Sequence, residues 1–145
     1  MNPADAARRW AAVWQRAWES GEVDRIVALY AADARHWSAP FRDPGIGPEG
    51  VRAYVQGAFD EESEVRAWFG EPVVEGDQAA VRWWATLIEA GREATLAGTS
   101  ILRFDGAGLV VSHGTPGTRR MAAPSHRRAG DRASRSASAQ PFATG

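Results

Sequence analysis

The chain has 145 residues, 44% of them hydrophobic, with seventeen Arg, no Lys, eighteen acidic residues and no Cys. That suffices for one domain with a real core, and it excludes disulfides, thiolate metal sites and cysteine nucleophiles. The net charge of −1 hides a split: residues 1–113 hold eleven Arg against seventeen Asp and Glu, and thirteen of the fourteen aromatic residues, whereas residues 114–145 hold six Arg, one acid (Asp131) and one aromatic (Phe142). No apolar run reaches the length of a membrane span. The polar, Ala-rich stretch Met1–Arg9 lacks the apolar core of a signal peptide. The expectation is a cytoplasmic protein without a membrane partner, and the missing Cys fits a reducing compartment.

Asp5–Ser20 has helical periodicity, with Trp10, Val13, Trp14, Ala17 and Trp18 on one stripe and Gly21 as the stop. A shorter helix is expected over Val23–Ala31, with Ile26, Val27 and Tyr30 facing inward, followed by a short strand over Ala34–Ser38. Ala39–Gly50 holds three Pro and three Gly and reads as a loop. Pro48-Glu49 opens a third helix to about Glu62, with Val51, Tyr54, Val55 and Phe59 at helical spacing. From there the period changes to two. Glu64–Glu75 alternates, and Gly76-Asp77 turns the chain. Gln78–Ala90 places Val81, Trp83, Ala85 and Leu87 on one face and Arg82, Trp84, Thr86 and Ile88 on the other. After Gly91-Arg92, Glu93–Asp105 alternates as well, and Leu109–His113 opens a last strand. Three helices followed by long meandering strands predict an α+β layout, with the helices on one face of a curved antiparallel sheet.

This order, with Leu29-Tyr30-Ala31-Ala32-Asp33-Ala34 before the first strand and Ile101-Leu102-Arg103-Phe104-Asp105-Gly106 closing a late one, resembles the nuclear-transport-factor-2-like superfamily. Within it the chain looks most like the SnoaL-like group, over about Ala6–His113. The resemblance implies a cone, a bent sheet wrapped on three N-terminal helices, with an apolar pocket at one end. It leaves function open, because this scaffold hosts cyclases, isomerases, dehydratases, epoxide hydrolases and plain binding domains. Isomerases of this kind use a base Asp in the short strand, a Tyr in the first helix and a protonated Asp on a late strand; the isomerase is a worked case in enzymology. Motif alignment places Ser38, Trp14 and Ser100 at those positions, so the isomerase set is not retained. A serine hydroxyl without an activating base does not abstract a proton α to a carbonyl.

Candidate ligand-binding positions are Trp14, Ser38, Tyr54, Trp83, Ser100 and Phe104. The aromatic ones suit stacking on a flat apolar ligand, or simple core filling. Catalytic candidates are His36, a base or a merely hydrogen-bonded strand residue, and Asp43, a displaced acid or a turn residue before Pro44. His36 and an acid converging in one open cavity would favour an enzyme over a binding domain. An outward Trp84 beside Ile88 suggests a homodimer through the sheet face, unless long side chains such as Arg82 cover it. His36, His113 and His126 have no metal-ligand spacing, Gly45-Ile46-Gly47 lacks the context of a phosphate loop, and there is no nucleophile elbow. No cofactor or metal is expected, and the expected partner is a small apolar molecule.

Residues 114–145 read as a disordered Arg/Ser/Ala-rich tail, since no aromatic residues interleave with the Arg as a nucleic-acid arm would need. A frameshift offers another origin. Codons permitted for Gly114–Ala123, read one base over behind His113, spell Arg-Asp-Thr-Trp-Asn-Glu-Ala-Asp-Gly-Arg, which is similar to the family's strand ending. The last strand is then incomplete, and its neighbour is expected to expose an unpaired edge.

Overall fold

A computed structural model describes residues 1–116 and the backbone of 119–122. Helix α1 spans Pro3–Ser20. Asn2 caps it by accepting a 2.9 Å bond from the Asp5 amide, and Pro3 sits in its first turn, where no amide is needed. Gly21 closes it in the left-handed conformation (φ 76°) and bonds Ala17 O. Its buried face is Ala6, Ala7, Trp10, Ala11, Trp14, Ala17 and Trp18, so the three indoles rise one above the other at helical spacing.

Helix α2 is only Val23–Val27. The chain then turns into strand β1, Tyr30–Trp37, four residues earlier than the local pattern suggests. The reason is distant: Val110 N donates to Leu29 O, and Tyr30 pairs with Val110 in a parallel ladder. That pairing overrides the helical preference of Leu29–Ala31. Strand β2 (Gly45–Ile46) hooks back onto Arg35 and His36, and helix α3 runs over Gly47–Glu61. The expected loop over 39–50 therefore contains β2 and the start of α3.

The strands follow the expected alternation closely. They are β3 (Glu62–Phe69), β4 (Val73–Glu75), β5 (Gln78–Glu89), β6 (Arg92–Phe104) and β7 (Val110–Gly114). The sheet order is β2-β1-β7-β6-β5-β3, antiparallel throughout except for the parallel β1·β7 pair. Val81, Trp83, Ala85 and Leu87 of β5 are buried on the concave side, as are Ser100, Leu102 and Phe104 of β6. Gly98 sits opposite Trp83; a Cβ there would come within 2.7 Å of the indole, so the missing side chain is what lets Trp83 lie across β6.

Two long strands each carry a broken partner. Strand β5 pairs with β3 along one half and β4 along the other. Strand β6 pairs with β7 from Ile101 to Phe104, and with a further strand β8, Arg119–Ala122, from Ala94 to Ala97. Strand β7 itself ends at Gly114, and with β8 strand β6 has a partner at both ends. The expected disorder of the remaining tail falls on residues outside those described. Strand β3 lies at the sheet edge, and α1 satisfies it: Gln15 accepts from the Phe69 amide at 3.1 Å and Glu19 from the Ala67 amide at 3.0 Å. Among the described residues no helix is long and apolar enough to cross a membrane.

Candidate functional site

The concave face and the helices enclose a cavity of about 100 Å³. Helix α1 contributes Trp10, Trp14 and Trp18, and helix α3 contributes Tyr54, Val55, Ala58 and Phe59. Glu62, at the α3–β3 junction, adds a carboxyl group, and the strands add Phe69, Trp83, Leu96, Ser100, His36 and His113, with Thr115 just beyond β7. Tyr30 and His36 share one phase of β1 and are both buried, and the register shift in the β1·β7 ladder lets their partners Val110 and His113, three residues apart on β7, be buried as well. His36 pairs with His113 across that ladder, which puts both imidazoles on one face with ring centres 4.7 Å apart and edge-on.

At the deep end the polar groups bond one another. The Trp10 and Trp14 N–H groups both donate to Tyr30 Oη at 3.2 Å, and Tyr30 Oη meets His113 Nδ1 at 2.8 Å. His113 Nε2 lies 3.0 Å from Ser100 Oγ, which also accepts the Trp83 N–H at 3.1 Å. Thr115 Oγ1 closes the group, 3.3 Å from His113 Nε2 and 3.4 Å from Ser100 Oγ. Burial raises the Tyr30 phenol against the pull of its two indole bonds. Burial, with His36 next to it, holds His113 well below the usual histidine range. Both rings are neutral at physiological pH.

The other end is different. His36 is 4% exposed and packs against Tyr54 with ring centres 4.8 Å apart. Among the described residues, neither of its ring nitrogens has a hydrogen-bond partner. Burial pushes its pKa down to about 4, so it too is a neutral ring, with one bare nitrogen and one N–H. Glu62 lines the same space and accepts the Trp18 N–H at 2.7 Å. Burial, and secondarily Glu62, raises the Tyr54 phenol.

Five of the expected site residues therefore meet at this cavity: Trp14, His36, Tyr54, Trp83 and Ser100. Three do not line it. Phe104 is buried elsewhere in the core, Ser38 is half-buried in the bend after β1, and Asp43 is exposed in the following loop. Of the positions aligned with the isomerase groups, Trp14 and Ser100 join the hydrogen-bonded cluster, while Ser38 stands apart from it. Glu62, His113 and Thr115 were not anticipated. Glu62 looked like the end of a helix, although its place where the period changes from 3.6 to two marks a residue on the rim of two layers. His113 shares the strand phase of Val111, but its partner Tyr30 is 83 positions away. On the outer face Trp84 is half-buried and tilted against Trp68 with ring centres 4.9 Å apart, and Trp68 is 41% exposed. No cluster of metal-ligating side chains occurs among the described residues.

The model of the SnoaL-like domain family matches residues 7–113, ending just before the change in composition. Among solved structures, the crystal structure of RV0760c from Mycobacterium tuberculosis has a similar fold, with a TM-score of 0.64 and 17% identity over 79% of this chain and 90% of that one. Among curated proteins, none matches. The helices, the bent sheet and the family match together place the chain in the SnoaL-like domain family of the nuclear-transport-factor-2-like superfamily.

Proposed function

We propose that this domain binds a small, largely apolar molecule of single-ring size inside the cone. The supporting observation is a cavity walled mainly by indole and phenyl faces and lined by a buried His36, whose ring nitrogens bond nothing among the described residues. Buried polar groups are ordinarily bonded, and those left over at a cavity are available to a ligand. Size sets the class: pockets for drug-sized ligands run to roughly 300–1,000 Å³, whereas a dry cavity of roughly 150 Å³ takes up benzene. The test is a titration of the tryptophan fluorescence with acetophenone, in wild type and in Ala58→Phe, whose ring would fill the mouth beside Phe59. Saturable quenching in the micromolar to millimolar range, lost in Ala58→Phe, is expected. Equal quenching in both proteins would place binding elsewhere and sink the proposal.

A second reading, catalysis by proton transfer, is favoured by one observation: His36 and the Glu62 carboxyl line the same cavity. A neutral imidazole with a bare nitrogen can accept a proton from carbon next to a carbonyl. Deuterium incorporation into the acetophenone methyl group in D₂O is the assay. Exchange that disappears in His36→Phe while acetophenone still binds supports an enzyme; exchange no faster than in buffer leaves a binding domain.

A further inference from the structure

We propose that the Ser100–Thr115 hydroxyl pair presents one uncommitted hydrogen to the cavity, so that the ligand is a small ring carrying a hydrogen-bond acceptor such as a ketone carbonyl. This deepens the interior-binding reading and rests on it. The direction of every bond in the deep cluster follows from which groups can donate and accept. An indole N–H only donates. Trp10 and Trp14 both aim theirs at Tyr30 Oη, which occupies that oxygen's lone pairs. The phenol hydrogen therefore goes to His113 Nδ1, 2.8 Å away. In the neutral ring the proton then sits on Nε2, and this N–H faces Ser100 Oγ and, more distantly, Thr115 Oγ1. Ser100 Oγ receives it together with the Trp83 N–H, so only its own hydrogen is left to give, and Thr115 Oγ1 takes it.

Thr115 thus accepts from Ser100 and shares the His113 N–H, and its own hydrogen has no acceptor among the described residues. Both hydroxyls line the cavity. A ligand oxygen that accepts fits this spot.

Acetophenone and isopropenylbenzene test this, because they share a shape and differ in C=O against C=CH₂. Wild type is expected to bind the ketone about tenfold more tightly. Ser100→Ala and Thr115→Val each leave one hydroxyl hydrogen, so each retains a preference. His36→Phe, which keeps both hydroxyls, is expected to keep the preference in full, with unchanged affinity for isopropenylbenzene showing an intact cavity. No preference in wild type overturns the proposal. So does a preference lost in His36→Phe, which would assign the donor to the His36 N–H. Binding of neither compound by wild type sinks the interior-binding reading itself. The ¹⁵N shifts of His113 in ligand-free wild type decide the bond directions independently of any variant's folding: a bare Nδ1 and protonated Nε2 are expected, and the reverse tautomer overturns the chain even if the ketone binds.

Discussion

Two histidines lie edge to edge in this molecule, 3% and 4% exposed, and their surroundings are opposite. His113 has both nitrogens bonded, in a cluster fixed by three indoles, a phenol and two hydroxyls. His36 has neither nitrogen bonded among the described residues; Tyr54 packs beside it, and Glu62 lines the same cavity. Burial does not tell the two apart; the inventory of donors and acceptors does. A saturated polar cluster makes a wall rigid and specific. An unpartnered polar group at a cavity is available to a ligand that supplies the missing partner.

The largest expected effect tests the saturated end. Tyr30→Phe removes the acceptor of two buried indole N–H groups and the donor to His113, and is expected to cost about 3–5 kcal/mol in urea unfolding, as losses of buried networks do. His36→Phe, a swap of similar volume that removes an unbonded polar ring, is expected to stay within about 1 kcal/mol of wild type or to stabilise. Equal costs at the two positions would erase the contrast between them.

Acid comes next in size. Both histidines have folded pKa values below their unfolded value of about 6.5. The unfolded chain therefore binds more protons as pH falls, and the stability present above about pH 6.5 is lost progressively as pH falls toward 4. The lowering of His36 to about 4 corresponds to about 3 kcal/mol, and His113 acts in the same direction. Urea midpoints across this range should fall in wild type and fall less steeply in His36→Phe. Parallel pH profiles for the two proteins would mean that His36 is not held neutral by burial.

The smallest effect concerns the outer face, where a sheet-to-sheet dimer is expected at Trp84 beside Ile88, and where Trp68 lies tilted against Trp84. Trp68→Arg should change unfolding by about 1 kcal/mol or less, as surface substitutions and exposed aromatic pairs do. Its sedimentation mass should drop to the monomer if two copies meet there. An unchanged mass would remove this face as the interface.

The alternation of Val81, Trp83, Ala85 and Leu87, and the indole stripe of α1, were legible in the sequence because a strand and a helix each impose their period on a half-buried segment. Tyr30 was misplaced in a helix because the force that straightens it, parallel pairing with Val110, comes from eighty residues away. Asp43 and Ser38 drew attention through local chemistry or motif alignment, yet the chain carries both past the cavity. Glu62 lay at an element boundary, where neither period says which way a side chain points.

What the sequence determined by itself was which faces had to be buried, since this depends on residues close in the chain. What the tertiary structure alone decided was which buried polar groups found partners. That depends on atoms meeting within about 3 Å across segments as distant as Tyr30 and His113. It is also why one histidine became part of the wall and the other was left facing the space inside.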